Sequence, residues 1–268
     1  MKERIDIILV ERRLVESRTK AQWLIINGFV KVDGKIIQKP GKKVENSLKV
    51  ELEKDFPYVG KGGLKLEAAL KEFSIIVDGK ICMDVGASVG GFTDCLLKHG
   101  AKKVYAIDNA TDMLHPSLRC EKNKERVVPM LGIDARNSIN IQEKVDLCTI
   151  DITFASLKII LPQVKPVIKE SGEIIALIKP FFEIENENDV KVNFKSKQDP
   201  PRLHQILIDL IQWCNNNQFF PIHLIKSPIL GKEDSNEFFI NLKLKDSGLK
   251  LDFNNLIKNA TKEKDLNY

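Results

Sequence analysis

Apolar positions near the start of the chain recur at helical spacing. Ile5, Ile8, Leu9 and Leu14 are followed by Ala21, Leu24 and Ile25, which predicts two short amphipathic helices within residues 4–30. Ser17 stands where a side-chain oxygen caps the second helix, and Gly28 where a glycine ends it. Val30-Lys31-Val32 then alternates and enters an Asp33-Gly34 turn, the signature of a tight hairpin. A second hairpin is expected around Lys39-Pro40-Gly41. Residues 51–60 read as linker sequence, ending in Phe56-Pro57-Tyr58-Val59. The boundaries predicted are a small α+β module over 1–55, a linker over 56–62, a larger domain over 63–245 and a charged tail over 246–268, expected as a loose terminal helix.

From residue 80 the pattern changes. Ile81–Val85, Val104–Ile107, Val127–Met130, Leu147–Asp151 and Glu173–Ile178 are short apolar runs that read as buried strands. Helical stretches lie between most of them, at 91–99, 156–169 and 201–217. Such alternation predicts parallel βαβ units, hence an α/β fold with helices on both faces of a Rossmann-like sheet. Two further strands, about 219–226 and 237–244, have no helix between them and suit an antiparallel hairpin at the sheet edge.

Composition narrows the class. With 43% hydrophobic and 29% charged residues the chain can bury a core, which excludes wholesale disorder. The longest apolar stretch, Ile174–Ile178, is strand-sized, far short of the roughly 20 residues a membrane helix needs. The start, Met-Lys-Glu-Arg-Ile-Asp, lacks the apolar core of a signal peptide. A cytoplasmic protein without a membrane partner is expected. The five cysteines, Cys82, Cys95, Cys120, Cys148 and Cys214, never form a C-x-x-C pair. They read as reduced thiols, and no metal site is expected. Charge is unevenly spread: residues 1–50 carry 12 Lys and Arg against 6 Asp and Glu, whereas the remaining residues carry 30 against 31. A basic module of this kind suits a polyanion, although charge alone fits a solvated face equally well.

The strongest chemical signal is Asp84-Val85-Gly86-Ala87-Ser88-Val89-Gly90-Gly91-Phe92-Thr93, which follows a strand and opens a helix. A glycine-rich turn there lets backbone amides approach a ligand. The spacing is not G-x-G-x-x-G; it has the form usual in S-adenosylmethionine enzymes. Asp108 ends the next strand and can accept both ribose hydroxyls. Asp134, after the third strand, is a candidate for the adenine amino group or a plain surface aspartate. The predicted cofactor set is Asp84, Gly86, Ala87, Ser88, Gly90, Gly91, Phe92, Asp108 and Asp134. A second signal is spread along the chain. Asp151 and Lys179 end the fourth and fifth strands, and ligands of open α/β sheets bind at the carboxyl ends of strands. Lys65 precedes the first strand, and Glu237 opens a late one. A lysine closing an apolar strand is costly unless paired or functional, so the alternative is a structural Lys–Asp ion pair.

These segments carry a resemblance. Tyr58 to Leu70, Asp84 to Leu97, Val145 to Leu157, Ala176 to Phe182 and Asn236-Glu237-Phe238 resemble the TlyA (hemolysin A) family of FtsJ-like ribosomal RNA 2′-O-methyltransferases. Arg4-x-Asp6, Ser17-Arg18-x-x-Ala21 and Gly28-x-Val30-x-Val32-x-Gly34 resemble the alpha-L RNA-binding module of ribosomal protein S-four. The resemblance implies S-adenosyl-L-methionine as cofactor, ribosomal RNA or ribosomal subunits as partner, methylation of cytidine ribose, and a catalytic Lys-Asp-Lys-Glu set at Lys65, Asp151, Lys179 and Glu237. It places RNA contacts at Arg4, Arg18, Lys20 and Lys31. The chain departs from the family pattern at Val89, over Asp108–Asp112, at Ile133-Asp134 and over Asp189–Lys197.

A ribose hydroxyl is a poor nucleophile until its proton has a destination. Lys179 is expected to receive or polarise that proton and Asp151 to orient it, while Lys65 and Glu237 hold the ribose and balance charge. Base amino-group methylation is disfavoured, because Asp151-Ile152-Thr153-Phe154 lacks the two prolines usual in those enzymes. Two other classes compete: an RNA-binding assembly factor without turnover, and a pore-forming hemolysin. The second needs a long apolar or amphipathic segment that the sequence does not supply.

Overall fold

The computed structural model describes residues 2–184, 199–229, 235–246, 248 and 252–261. Two compact units divide between Lys61 and Gly62. In the first, β1 (Lys2–Arg4) leads into α1 (Ile5–Glu11) and α2 (Arg18–Ile26), followed by β2 (Val30–Val32), β3 (Lys35–Ile36), β4 (Lys43–Glu45) and β5 (Val50–Leu52). Ile5, Ile8, Leu9, Ala21, Leu24, Ile25, Val30 and Val44 close its core, so the helical spacing of the sequence becomes the buried face except at Leu14, which lies beyond α1 and is exposed. Ser17 caps α2 by accepting from the Lys20 amide at 3.3 Å. Gly28 then takes φ +76° while its amide and that of Phe29 reach back to the carbonyls of Ile25 and Leu24, the glycine C-terminus expected. Asp33 and Gly34, both at positive φ, turn β2 into β3 as a primed hairpin turn requires.

The second hairpin does not form. The chain turns at Lys39–Lys42, where the Lys42 amide donates to the Lys39 carbonyl, but the flanking strands go to different sheets. β3 joins β2 and β5 in a three-stranded sheet, and β4 pairs antiparallel with β1. Pro40 and Gly41 signal a turn but carry no information on which strand the chain meets next. Strand β5 also occupies the start of the stretch read as linker.

In the second unit α3 (Gly62–Glu72), β6 (Ile81–Val85), α4 (Gly91–Lys98), β7 (Lys103–Asp108), β8 (Val127–Leu131), β9 (Val145–Ile150), α5 (Leu157–Val164), β10 (Ile168–Ile178), α6 (Pro200–Asn216), β11 (Phe220–Lys226), β12 (Phe238–Lys243) and α7 (Phe253–Thr261) follow in order. One seven-stranded sheet runs β11-β12-β10-β9-β6-β7-β8. Strands β10, β9, β6, β7 and β8 are parallel. Strand β12 lies antiparallel between β10 and β11, so the late hairpin does form at the sheet edge. The chain leaves β6 towards β7 and β8, then returns to β9 on the other side. The sheet therefore reverses direction between β6 and β9, where open α/β folds bind ligands.

Three expectations need adjustment. Helix α5 stops at Val164 rather than near 169, because Pro166 has no N–H to continue the helical ladder and the next turn is a 3₁₀ helix over Lys165–Val167. Helix α3 was not foreseen. Helix α7 is not loose: Ile257 and Ala260 are buried against the second unit's main core. The departure at Asp189–Lys197 and the end of the tail, 262–268, lie outside the described residues.

Candidate active site

The glycine turn joins β6 to α4 at the reversal point. The amides of Gly86 and Ala87 both donate to the Ile107 carbonyl at 2.9 Å, fixing the turn against β7. Gly86 has φ +87°, and a Cβ built on it would run into the Asp151 carbonyl. Gly90, at φ +92°, would strike Leu114 and Leu118. Gly86 is thus required by a backbone contact as well as by its conformation, and Gly90 by its conformation.

Asp84 is fully buried. Thr93 donates to its Oδ2 at 2.7 Å and Thr149 to its Oδ1 at 3.1 Å, so the carboxyl ties α4 and β9 to β6. Burial pushes its pKa up to about 7, against the two threonine bonds that pull it down. Phe92 is buried too, facing Phe239 at 6.1 Å between ring centres. Ala87, Gly90 and Gly91 share that burial, whereas Gly86 and Ser88 are half-buried and Val89 is exposed. The surface the turn offers a ligand is Gly86, Ser88 and Val89.

Asp108 ends β7 beside this surface. Its Oδ2 accepts from the Ser88 amide at 2.7 Å and its Oδ1 from the Ala110 amide at 2.8 Å. Each oxygen of a carboxylate has a second lone pair, so the clamped group retains an acceptor for each of two vicinal hydroxyls. Exposed Val89 and Met113 on the same loops supply apolar surface for a purine. These residues fit S-adenosylmethionine. Asp134 accepts from Arg136 at Oδ1, at 3.0 Å, and at Oδ2, at 2.6 Å, and that guanidinium holds its pKa down at about 2.

Four charged residues form two ion pairs at the same end of the sheet. The Lys179 Nζ donates to Asp151 Oδ1 and, at 3.1 Å, to the Ile152 carbonyl. The Asp151 amide donates to the Val85 carbonyl at 2.9 Å, which seats this arm on the glycine turn. The Lys65 Nζ donates to Glu237 Oε2, and these two are only 4% and 5% exposed. The register pairs Ile178 with Phe238, so Lys179 and Glu237 adjoin across the ends of β10 and β12. All four sequence candidates therefore converge, with Lys65 delivered by the unforeseen helix α3.

Sequence reasoning missed several members. Thr93 and Thr149 anchor Asp84, and threonines inside a helix and a strand give no sequence signal. Phe154, three residues after Asp151, is 83% exposed at φ +75°, with Phe182 edge-on at 5.8 Å. An exposed aromatic ring in a strained loop next to Asp151 could have been flagged by analogy with the aromatic ending of the Asn/Asp-Pro-Pro-aromatic run.

In the first unit the expected RNA contacts are all engaged within the module. Asp6, fully buried, accepts from Arg4 at 2.9 and 3.0 Å, from Arg18 at 3.0 Å and from Gln22 at 2.9 Å. The Arg4 bond, with those of Gln22 and Arg18, holds its carboxyl far below the usual range. The two arginine side chains nevertheless keep 41% and 55% of their surface open. Lys20 pairs with Glu16 at 2.5 Å, and Lys31 pairs with Glu53. Lys39, Lys42 and Lys43 are exposed on the same unit.

Residues 58–244 match the FtsJ-like methyltransferase family, and residues 3–49 match the S4 domain. The chain belongs to the FtsJ-like methyltransferases. It is 37% identical to YqxC of Bacillus subtilis (strain 168), which carries the name of an rRNA methyltransferase, over 90% of this chain and 85% of that one. It is 39% identical to the 16S/23S rRNA (cytidine-2′-O)-methyltransferase TlyA of Mycobacterium tuberculosis (strain ATCC 25618 / H37Rv), over 68% of each. A hemolysin-named protein of Streptococcus thermophilus superposes with a TM-score of 0.65 at 31% identity, covering 96% of this chain and 94% of that one. The chain is therefore an S-adenosylmethionine-dependent methyltransferase with an N-terminal S4 domain. Among the described residues no helix is long and apolar enough to cross a membrane.

Proposed function

We propose that this protein methylates a ribose 2′-hydroxyl of ribosomal RNA, at cytidine, with the S4 domain as an RNA anchor. The observation that carries the reading is the convergence of Lys65, Asp151, Lys179 and Glu237 beside the turn that faces Asp108. The relative named as a cytidine-2′-O-methyltransferase supports the choice of target. A 2′-hydroxyl exists in RNA and not in DNA, so the chemistry and the RNA-binding domain agree.

S-adenosylmethionine supplies a methyl group on a positively charged sulfur. Gly86 and Ser88 would hold it at the turn, and Asp108 would accept from its ribose. Lys179 takes or polarises the hydroxyl proton at Nζ, while Asp151 fixes that nitrogen against the Ile152 carbonyl. Lys65 and Glu237, paired with each other and buried, would hold the ribose. Phe154 offers a stacking face for a base turned out of its helix.

The test is to map ribose methylation in ribosomal RNA from cells with and without the protein, and to measure transfer from labelled S-adenosylmethionine to isolated subunits. One or more cytidine 2′-O-methyl marks that vanish with the protein support the reading. Donor binding without any transfer would instead favour an assembly factor that keeps the fold but not turnover.

A further inference from the structure

We infer that Glu183 is a positioning residue that braces the two loops carrying Asp151 and Lys179; the inference rests on the reading of those two residues given above. Strand β9 ends at Ile150, and its loop runs through Asp151 and Phe154 to Ser156, the N-cap of α5. Strand β10 ends at Ile178, and after Lys179 the chain makes a 3₁₀ turn over Pro180–Glu183. The Lys179–Asp151 pair joins these loops at one end. Glu183 joins them at the other. Its Oε2 accepts from Ser156 Oγ at 2.5 Å and its Oε1 from the Leu157 amide at 3.0 Å, and the residue is buried. Ser156 Oγ in turn accepts from the Lys158 amide at 3.0 Å. The carboxylate also suits the positive start of α5.

The two cross-braces close a ring from residues 151–157 and 179–183. The ring presses on the glycine turn, because the Asp151 carbonyl occupies the space that a side chain at Gly86 would need. Phe154 and Phe182, at 5.8 Å, span the same ring. Releasing Glu183 frees the far end of both loops at once, so Lys179 and Asp151 lose their shared geometry without losing their charges.

Single-turnover methyl transfer in Glu183→Ala should fall about 10–100-fold, the cost of misplacing reactive groups by about an ångström. Affinity for S-adenosylmethionine and for RNA should fall far less than the rate. Glu183→Gln should recover most of the rate, since its amide oxygen still accepts from Leu157, whereas Glu183→Asp is one methylene short and should not. Ser156→Ala, which removes one of the two bonds, should fall between, and serves if Glu183→Ala does not fold. In a Lys179→Ala background Glu183→Ala should cost nothing more, because it acts through Lys179. An equal loss in both backgrounds, an unchanged rate, or a drop in melting temperature that accounts for the lost activity would overturn the inference. The side-chain NMR signals of Lys179 at one fixed pH keep this test separate from the proposed reaction. Their chemical shifts should move in Glu183→Ala even if the wild-type protein transfers no methyl to ribosomal RNA, and unmoved signals would overturn the inference.

Discussion

The buried Lys65–Glu237 pair allows stability and chemistry to be pulled apart. Both side chains are about 5% exposed, so water cannot screen a charge left behind by mutation. Lys65→Met keeps the length and apolar stem of the lysine but leaves the buried Glu237 carboxylate without its ammonium partner. Breaking a buried pair in this way costs about 3–5 kcal/mol, which for a unit of this size lowers Tm by roughly 6–20 °C. Glu237→Leu should cost a similar amount by stranding Lys65. The double variant Lys65→Met/Glu237→Leu removes both charges and keeps the volume. Such replacements are commonly neutral or stabilising, so its melting temperature should return to that of the wild type or exceed it. Its methyl-transfer rate should not return. Thermal melts of the four proteins, run beside transfer from labelled S-adenosylmethionine to ribosomal subunits, give both readings on the same samples. A stable double variant with wild-type turnover would refute a catalytic role and leave the pair as a bolt between α3 and β12.

Lys179→Ala should lower transfer about 10²–10⁴-fold, and Lys179→Arg should not rescue it, because a guanidinium stays protonated; wild-type activity in the arginine variant would sink the base assignment. Asp108→Asn should weaken S-adenosylmethionine binding by roughly 1–3 kcal/mol through a lost hydroxyl acceptor, and calorimetry showing equal affinity in a folded variant would remove its ribose role. Asp84 makes stability depend on pH: with its pKa near 7 in the fold against an ordinary 3.8, the unfolded chain ionises first, so stability falls as pH rises from about 4 to 7 and levels off above. Asp84→Asn lacks this penalty and should gain on the wild type by up to roughly 4 kcal/mol across that window; parallel denaturation curves at pH 5 and 8 would contradict it. Changing exposed Lys39, Lys42 and Lys43 to Gln should weaken RNA binding and flatten its log–log salt dependence by up to about 0.9 for each phosphate no longer neutralised, with donor binding intact; an unchanged salt slope would place the RNA elsewhere.

Most of the sheet was legible because buried parallel strands are nearly continuous apolar runs. Ile81–Val85 falls on β6 residue for residue, and the alternation with helices implies the parallel order. What failed was long-range pairing. Nothing local in Lys39-Pro40-Gly41 says that β4 will reach back to β1, since the partner lies about forty residues earlier. Helix α3 went unseen for a related reason. Lys61-Gly62-Gly63 reads as a breaker, yet the Gly62 backbone sits against the Phe92 ring, where the close approach favours a residue without a side chain. The packing of α3 on α4 overrides the weak helix propensity of two glycines.

The site divides along the same line. Residue types with a costly chemistry, a lysine or an aspartate at the end of an apolar strand, announced themselves, and all four members of the set converge. Their partners did not. Thr93, Thr149 and Glu183 are ordinary residues whose roles exist only because the fold brings another element within hydrogen-bond reach. Thr93 and Thr149 stand 56 residues apart in the chain, yet they flank the same carboxyl. The glycine motif is the instructive intermediate case. It points to a ligand in sequence, but Gly86 is already demanded by the Asp151 backbone and Gly90 by its positive φ. A glycine turn of this spacing would therefore be present even in a protein that had lost its donor. The residue to test is Asp108: its Oδ2 accepts from Ser88 of the turn and its Oδ1 from Ala110 of its own loop, which in the proposed reading leaves each oxygen a lone pair for a ribose hydroxyl. On that reading, Asp108 together with the Gly86–Ser88 surface is what separates a working methyltransferase from a fold that has kept only its shape.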